Sequence, residues 1–186
     1  MKLGFLDRFE QGLAQLKPSA LKFEFPNSPE DMERAMLDQV RRTAFFLARV
    51  PALAFFGVRV TEISARGCRV SLPFHWRTQN PFASQYFAAQ TAAAELSTGA
   101  LILRAIAGRP SISMLVIGVK GEFLKKAKAE VEFTCPPESA QDLLDALERV
   151  ERGESAEVEM RSEGRLSDGT EVARFRFRWA LKKRSP

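Results

Sequence analysis

The chain has 186 residues, 45% of them hydrophobic and 27% charged, with a formal net charge of +5. This suits one globular domain with a sizeable core, and the most apolar runs, residues 83–107 and 112–119, are interrupted by polar groups or too short to span a bilayer. Two distant cysteines, Cys68 and Cys135, and a single histidine, His75, exclude a zinc-type ligand set and a closely spaced redox pair, so no metal and no cofactor are expected.

The start of the chain lacks a long apolar run with a small-residue cleavage site, and the reading is a soluble cytoplasmic protein without integral membrane association. Both cysteines sit in strand-like apolar runs and read as buried, reduced thiols. Basic residues are interspersed with acids nearly everywhere. The only basic run is Lys182, Lys183 and Arg184, so nucleic acid is not an expected partner.

In chain order, Leu3, Phe5, Leu6, Phe9, Leu13 and Leu16 recur at helical spacing until Lys17-Pro18, which predicts an amphipathic helix packed on the body of the protein or on a partner subunit. Ser28-Pro29-Glu30-Asp31 is a second helix start: a capping hydroxyl, a first-turn proline and acids at the positive end of the helix dipole. Met32, Met36, Val40, Ala44 and Leu47 mark its stripe up to Val50-Pro51. From Phe55 the period becomes two, with a strand, a turn at Ala65-Arg66-Gly67 and a second strand through Cys68, Val70 and Leu72.

Residues 80–108 then form the stretch around which the rest is arranged. Between Arg77 and Arg104 the only formal charge is Glu95. The run is rich in alanine, opens on Asn80-Pro81 and closes near Gly108, which predicts a long, largely buried helix. Ser84, Ala88, Thr91, Glu95, Thr98 and Gly99 share a small, partly polar face; Phe82, Tyr86, Ala89, Ala93, Leu96, Ala100 and Leu103 share an apolar one. The apolar face can pack on a sheet while the other lines a crevice or a subunit boundary. A carboxylate in such a helix needs a partner, a proton or a purpose. Two readings stand: a structural acid bonded by Thr91, Thr98 or a strand, and a functional one.

Beyond the helix, residues 112–119 are apolar on both sides of the pleat, as for a strand central to a sheet or at a dimer seam. Ala127, Ala129, Val131 and Phe133 alternate with Lys126, Lys128, Glu130 and Glu132 as a half-exposed strand. Leu143, Leu144, Leu147 and Val150 mark a short helix capped by Gly153. Asp168-Gly169 is a two-residue hairpin turn. It sets a register in which Ser167 faces Thr170, Glu163 faces Arg174, Met160 faces Phe177, Glu159 faces Arg178 and Val158 faces Trp179. In the segment RFRFRW, Phe175, Phe177 and Trp179 are therefore core, and Arg174, Arg176 and Arg178 are a solvated face with glutamates opposite two of them. His75 reads as a partly exposed residue at a strand end, and the absence of a Gly-x-Ser-x-Gly elbow argues against a Ser-His-Asp hydrolase.

This order of elements, an antiparallel sheet around one long helix, resembles the α+β hotdog fold. The segment N-P-F-A-S-Q-Y-F-A-A-Q-T-A-A-A-E is similar to the N-x-x-G-S-x-H-G-G…D/E segment of hotdog acyl-CoA thioesterases of the phenylacetyl-CoA type, and the whole chain resembles an uncharacterised branch of that superfamily. Asn80, Ser84 and Glu95 fall on the family's asparagine, serine and helix carboxylate. The family's glycine is Ala83 here, and its His-Gly-Gly is Tyr86-Phe87-Ala88.

The resemblance implies a hotdog domain over residues 55–186 behind a helical N-terminal extension, residues 1–54. It implies a homodimer or dimer of dimers, and an acyl-CoA or related thioester as substrate. In the roles it implies, Glu95, contributed by the other subunit, is general base or nucleophile, and Asn80 fixes the loop or holds the water. Amides around Ala83, Ser84, Gln85 and Tyr86 form an oxyanion hole. These residues, with Phe87 and Thr91, bind substrate. The alternative is a non-catalytic acyl-CoA or lipid-binding module with the same crevice. A hotdog dehydratase is disfavoured, since no histidine lies in the helix.

Overall fold

The computed structural model describes residues 25–109 and 112–184. The amphipathic helix expected before Lys17 lies outside the described residues.

Three short helices come first: α1 (Pro29–Leu37), α2 (Gln39–Arg49) and α3 (Pro51–Phe56). Ser28 caps α1 as expected, accepting from the Asp31 amide at 3.1 Å. The single stripe expected from Met32 to Leu47 is broken at Asp38, whose backbone is extended and whose carboxylate accepts from Arg41 N at 2.8 Å. The side chain offers the backbone a cap instead of another helical turn, and Val40 rotates out to 77% exposure. Phe55 and Phe56 also depart from the expected strand. Pro51 starts α3, and Gly57, at φ 68°, supplies its left-handed cap, so β1 begins only at Arg59.

β1 (Arg59–Ser64) and β2 (Gly67–Leu72) form the expected hairpin, and a one-turn helix at Trp76–Thr78 leads towards the long helix α4 (Phe87–Ile106). β3 (Ile112–Phe123), β4 (Val131–Cys135), α5 (Pro137–Glu151), β5 (Ala156–Arg165) and β6 (Glu171–Lys183) complete the chain. All pairings are antiparallel, in the order β1-β2-β4-β5-β6-β3. Away from the turn β5 and β6 pair in the expected register, with Val158 opposite Trp179, Glu159 opposite Arg178, Met160 opposite Phe177 and Glu163 opposite Arg174; at the turn itself Leu166 N donates to Thr170 O in place of the expected Ser167–Thr170 pair, and a bulge between Gly164 and Arg165 absorbs the difference. Phe175, Phe177 and Trp179 are buried and the three arginines are exposed.

The inner face of this sheet wraps α4. Ala89, Ala93, Leu96 and Ala100 pack inward with Val70, Phe133, Met160 and Phe177 in one continuous core. Met32, Met36, Phe46 and Leu53 of the preceding helices belong to the same core. Cys68 and Cys135 face each other across β2 and β4, both free and buried. Burial pushes both thiols up, Cys135 to about 12, which keeps them protonated and inert.

Two further differences position the site. β3 is an edge strand, bonded to β6 alone, so of the two places its two-sided apolar pattern allows, a sheet centre within one chain is excluded. Leu115, Val119 and Phe123 on it are 65%, 53% and 47% exposed. The alternating run from Ala127 begins as a loop: β4 starts only at Val131. The carbonyls of Ala127 and Ala129 accept from the Gln85 amide and side chain, which takes this segment out of the ladder.

Candidate active site

Residues 80–86 do not join the helix. Asn80 folds them into a closed loop: its Oδ1 accepts from Phe82 N at 2.9 Å and Ser84 N at 3.3 Å, and its Nδ2 donates to Ser84 Oγ at 3.0 Å and Gln85 O at 3.3 Å. A short amide side chain that bonds its own backbone competes with helix, and α4 starts seven residues later than the sequence pattern suggests. Ala83 sits at φ 53°, in the left-handed region that favours glycine.

The loop also uses up the amides expected to hold an oxyanion. Ala83 N donates to Asn80 O at 3.1 Å, Gln85 N to Ala127 O at 2.8 Å and Tyr86 N to Thr78 O at 2.7 Å, and Ser84 N is held by Asn80. The donors left over belong to Phe87 and Ala88 at the start of α4: the first amides bonded back along the helix are those of Ala89 and Gln90, both to Tyr86 O.

Beside this helix start lies a cleft of about 570 Å³. Asn80, Ser84, Gln85, Tyr86 and Phe87, all expected at the site, line it. Its apolar wall is Phe82, Tyr86, Phe87, Phe123 and Leu124, and Lys125 and Lys126 complete the rim. Phe87 stands 6.2 Å, ring centre to ring centre, from Phe123 of the edge strand. Phe123 and the lysines were not legible as site residues, because they reach the cleft across the sheet edge and from a loop that reads as a strand.

Gln85 and Gln90 also line the cleft, and both are buried. Gln85 Nε2 donates to Leu72 O and Ala129 O, each at 3.1 Å, a structural tie between the loop and the sheet. Both glutamines keep a buried Oε1 that no donor reaches. Such an orphan costs about 1–3 kcal/mol in a folded protein.

Ala83, Thr91 and Glu95 do not line the cleft. Thr91 and Glu95, half-buried, lie further along the face of α4 that the sheet leaves uncovered. Among the described residues no group bonds or pairs with the Glu95 carboxylate. Thr91 Oγ1 donates instead to Phe87 O at 2.9 Å, and Thr98 Oγ1 to the Glu95 backbone carbonyl at 2.9 Å while accepting from Trp179 Nε1 at 3.2 Å. Neither hydroxyl is the partner that a structural carboxylate would need. Burial with nothing to offset it raises Glu95 from an ordinary 4.5 to about 7, so it exchanges a proton near neutrality.

His75 lies outside the cleft, partly exposed at the start of the one-turn helix, with Nε2 3.3 Å from the Arg77 guanidinium. Among the described residues no helix is long and apolar enough to cross a membrane, and no cluster of acids, histidines and cysteines could hold a metal ion.

Solved structures share this fold. A Pseudomonas aeruginosa protein of unknown function, given as a probable thioesterase, superposes with a TM-score of 0.63 at 19% identity, over 81% of this chain and 99% of that one. A thioesterase from Haemophilus influenzae matches with a TM-score of 0.58 at 12% identity, over 86% of this chain and 96% of that one. A thioesterase from Staphylococcus aureus, solved as a glutamine-to-alanine variant, matches with a TM-score of 0.58 at 16% identity, over 72% of this chain and 99% of that one. The same protein was also solved as a glutamate-to-alanine variant, fifteen positions further along. No curated protein matches the chain by sequence. The six-stranded antiparallel sheet around α4 is thus the hotdog fold of thioesterase-like proteins, and the match over residues 40–181 places this chain in the family of the domain of unknown function DUF4442.

Proposed function

We propose that the protein hydrolyses a fatty or aryl acyl-CoA thioester, with Glu95 as its general base. The observation that carries this reading is the Glu95 carboxylate: half-buried, without a partner among the described residues, raised to about 7, and on the uncovered face of the central helix. A base poised near the working pH removes a proton from water most effectively. The Phe87 and Ala88 amides at the positive end of α4 supply the donors for the oxyanion that forms when water attacks the thioester carbonyl. The tetrahedral intermediate then collapses, the C–S bond breaks, and the thiolate takes up a proton.

These two halves of the chemistry cannot meet within one chain. Ala88 and Glu95 are seven residues apart on one helix, an axial separation of about 10 Å, whereas a base acts within about 3 Å or through one water. A second copy resolves this if β3 pairs with its counterpart, extending the sheet across the exposed Leu115 and Val119 edge. Each carbonyl would then lie between the helix start of one protomer and Glu95 of its partner. The fifteen-residue separation of Asn80 and Glu95 equals that of the glutamine and glutamate altered in the Staphylococcus aureus thioesterase, which supports reading Asn80 and Glu95 as parts of one site. Asn80 fixes the loop that presents the helix start.

The test is release of free thiol from acyl-CoA esters of graded chain length by the native protein and by Glu95→Gln. Turnover by the native protein and its loss in the variant support the hydrolase. Saturable binding of the same esters without turnover by either protein overturns it and assigns an acyl-binding module.

A further inference from the structure

The face that α2 turns to solvent is apolar. Arg42, Phe45 and Phe46 are buried on its inner side, which leaves Val40, Ala44 and Leu47 on the outer one, with Val40 and Leu47 exposed. The strip continues past the helix end. Val50, also exposed, is shared by α2 and α3, and α3 then presents Phe55, whose ring meets Trp76 edge-on at 6.0 Å between centres. Trp76 is 76% exposed. None of these residues lines the cleft or lies on the β3 edge, and soluble proteins rarely leave a continuous apolar strip without an occupant.

The charge around the strip is one-sided. Residues 39–77 hold seven arginines and one acid, Glu62, which pairs with Arg69 at 3.4 Å. Arg42 is engaged inside, donating to Met36 O at 2.9 Å and Leu37 O at 3.1 Å, whereas Arg41 and Arg49 are exposed on α2. Arg77 holds its guanidinium over the Phe55 ring, 6.0 Å from its centre. Among the described residues none of Arg41, Arg49 and Arg77 forms an ion pair with an acid. The acids before α2 have other partners: Asp31, in the field of Arg41, pairs with Arg34, and Asp38 caps Arg41 N at 2.8 Å.

We propose that this strip seats the protein on the surface of an anionic lipid bilayer. Val40, Leu47, Phe55 and Trp76 enter the boundary between headgroups and acyl chains, and Arg41, Arg49 and Arg77 meet lipid phosphates. Charge decides the occupant. A second copy would set its own arginines against these, with no acids to offset them. Residues 1–24 hold four cations and three acids, so they offer no net negative charge. An anionic bilayer supplies both an apolar layer and the opposite charge, as it does for amphipathic helices that lie in its surface. Tryptophan suits this boundary because its ring is apolar and its N–H polar. With 11 residues α2 is too short to cross, so the attachment is to one surface. The strip is tied to the site loop, since Thr78, which ends the one-turn helix of Trp76, accepts from Tyr86 N at 2.7 Å.

The experiment mixes the full chain with vesicles of phosphatidylcholine, or of equal parts phosphatidylcholine and phosphatidylglycerol, and follows cosedimentation and tryptophan emission. The second tryptophan, Trp179, is buried, so a vesicle-dependent change in emission reports Trp76. The native protein should bind the anionic vesicles about tenfold or more tightly than the neutral ones, with an advantage that shrinks as salt is raised. Emission should shift to the blue and be quenched by lipids brominated on their acyl chains. Val40→Asp/Leu47→Asp should weaken binding about tenfold or more with unchanged circular dichroism, because both side chains are exposed. Arg41→Gln/Arg49→Gln should shrink the preference for anionic vesicles, and Trp76→Phe should abolish the change in emission. No binding to either vesicle overturns the proposal. So does binding that leaves Trp76 unquenched or that the aspartate variant does not weaken, which assigns attachment to another part of the chain. Shielding of Trp76 from acrylamide before vesicles are added also overturns it, and sedimentation equilibrium then tells whether a second copy or residues 1–24 cover the strip.

Discussion

Gly99 stands one helical turn after Glu95 in a place that a side chain would have to share with that carboxylate: a Cβ there would lie 3.1 Å from Glu95 Oε1 and 3.3 Å from Trp179 Cη2. Trp179 is itself fixed, buried in the core and bonded to Thr98. In an ordinary helix interior Gly→Ala gains about 1 kcal/mol. Here the methyl group presses on a packed indole and on the carboxylate, and overpacking of this kind costs about 1–3 kcal/mol. Gly99→Ala should therefore fail to stabilise the protein in urea unfolding, and should lower kcat by displacing Glu95. A clear gain in stability with unchanged turnover would remove Gly99 from the site.

The raised Glu95 carboxyl links stability to pH with a defined sign. The folded state holds the proton more tightly than the unfolded one, whose carboxyl titrates near the ordinary 4.5. The contribution of this group to stability is greatest below about pH 4.5, where both states are protonated. It falls between pH 4.5 and 7 as only the unfolded chain ionises, and it levels off above 7. The full difference is at most about 3 kcal/mol. Glu95→Gln should match the native protein at pH 4 and exceed its stability at pH 8, measured by denaturant unfolding. Turnover by the native protein should rise with pH through about 7 as the base is freed.

Ala83 holds a left-handed backbone that its side chain disfavours, at φ 53°. Ala83→Gly relieves that strain, about 1 kcal/mol, and loosens the unfolded chain by a smaller amount. Thermal unfolding should show a net gain of a few tenths of a kcal/mol to about 1 kcal/mol, with turnover retained. A loss of stability would mean that the loop is held in another conformation.

Val119 is half-exposed on the unpaired edge of β3. Val119→Asp places a charge at the seam proposed between copies, where burial without a partner costs several kcal/mol. Sedimentation equilibrium should give a dimer or larger assembly for the native protein and a monomer for the variant, with the same circular dichroism. Turnover should disappear with the assembly, because Glu95 and the helix start then belong to separate molecules. A native monomer with full activity would refute the shared site.

What the sequence by itself determined is the part governed by short-range periodicity and turn chemistry. Alternation in residues 156–183 with Asp168-Gly169 between the strands fixes the β5–β6 register, because a one-residue slip would carry Phe177 and Met160 to the solvent face. A single acid in an alanine-rich helix singles out Glu95 as a group that needs a partner, a proton or a purpose, and leaves the structural and the functional reading both open. The tertiary structure decided where local signals compete or are incomplete. Asn80 satisfies its own loop and so delays the helix, and Asp38 does the same between α1 and α2. Gln85 draws Ala127 and Ala129 out of a strand that their alternation predicts, which brings Lys125 and Lys126 to the cleft. β3 becomes an edge although its pattern also suits a sheet centre, because strand order depends on long-range pairing that periodicity along one segment does not encode.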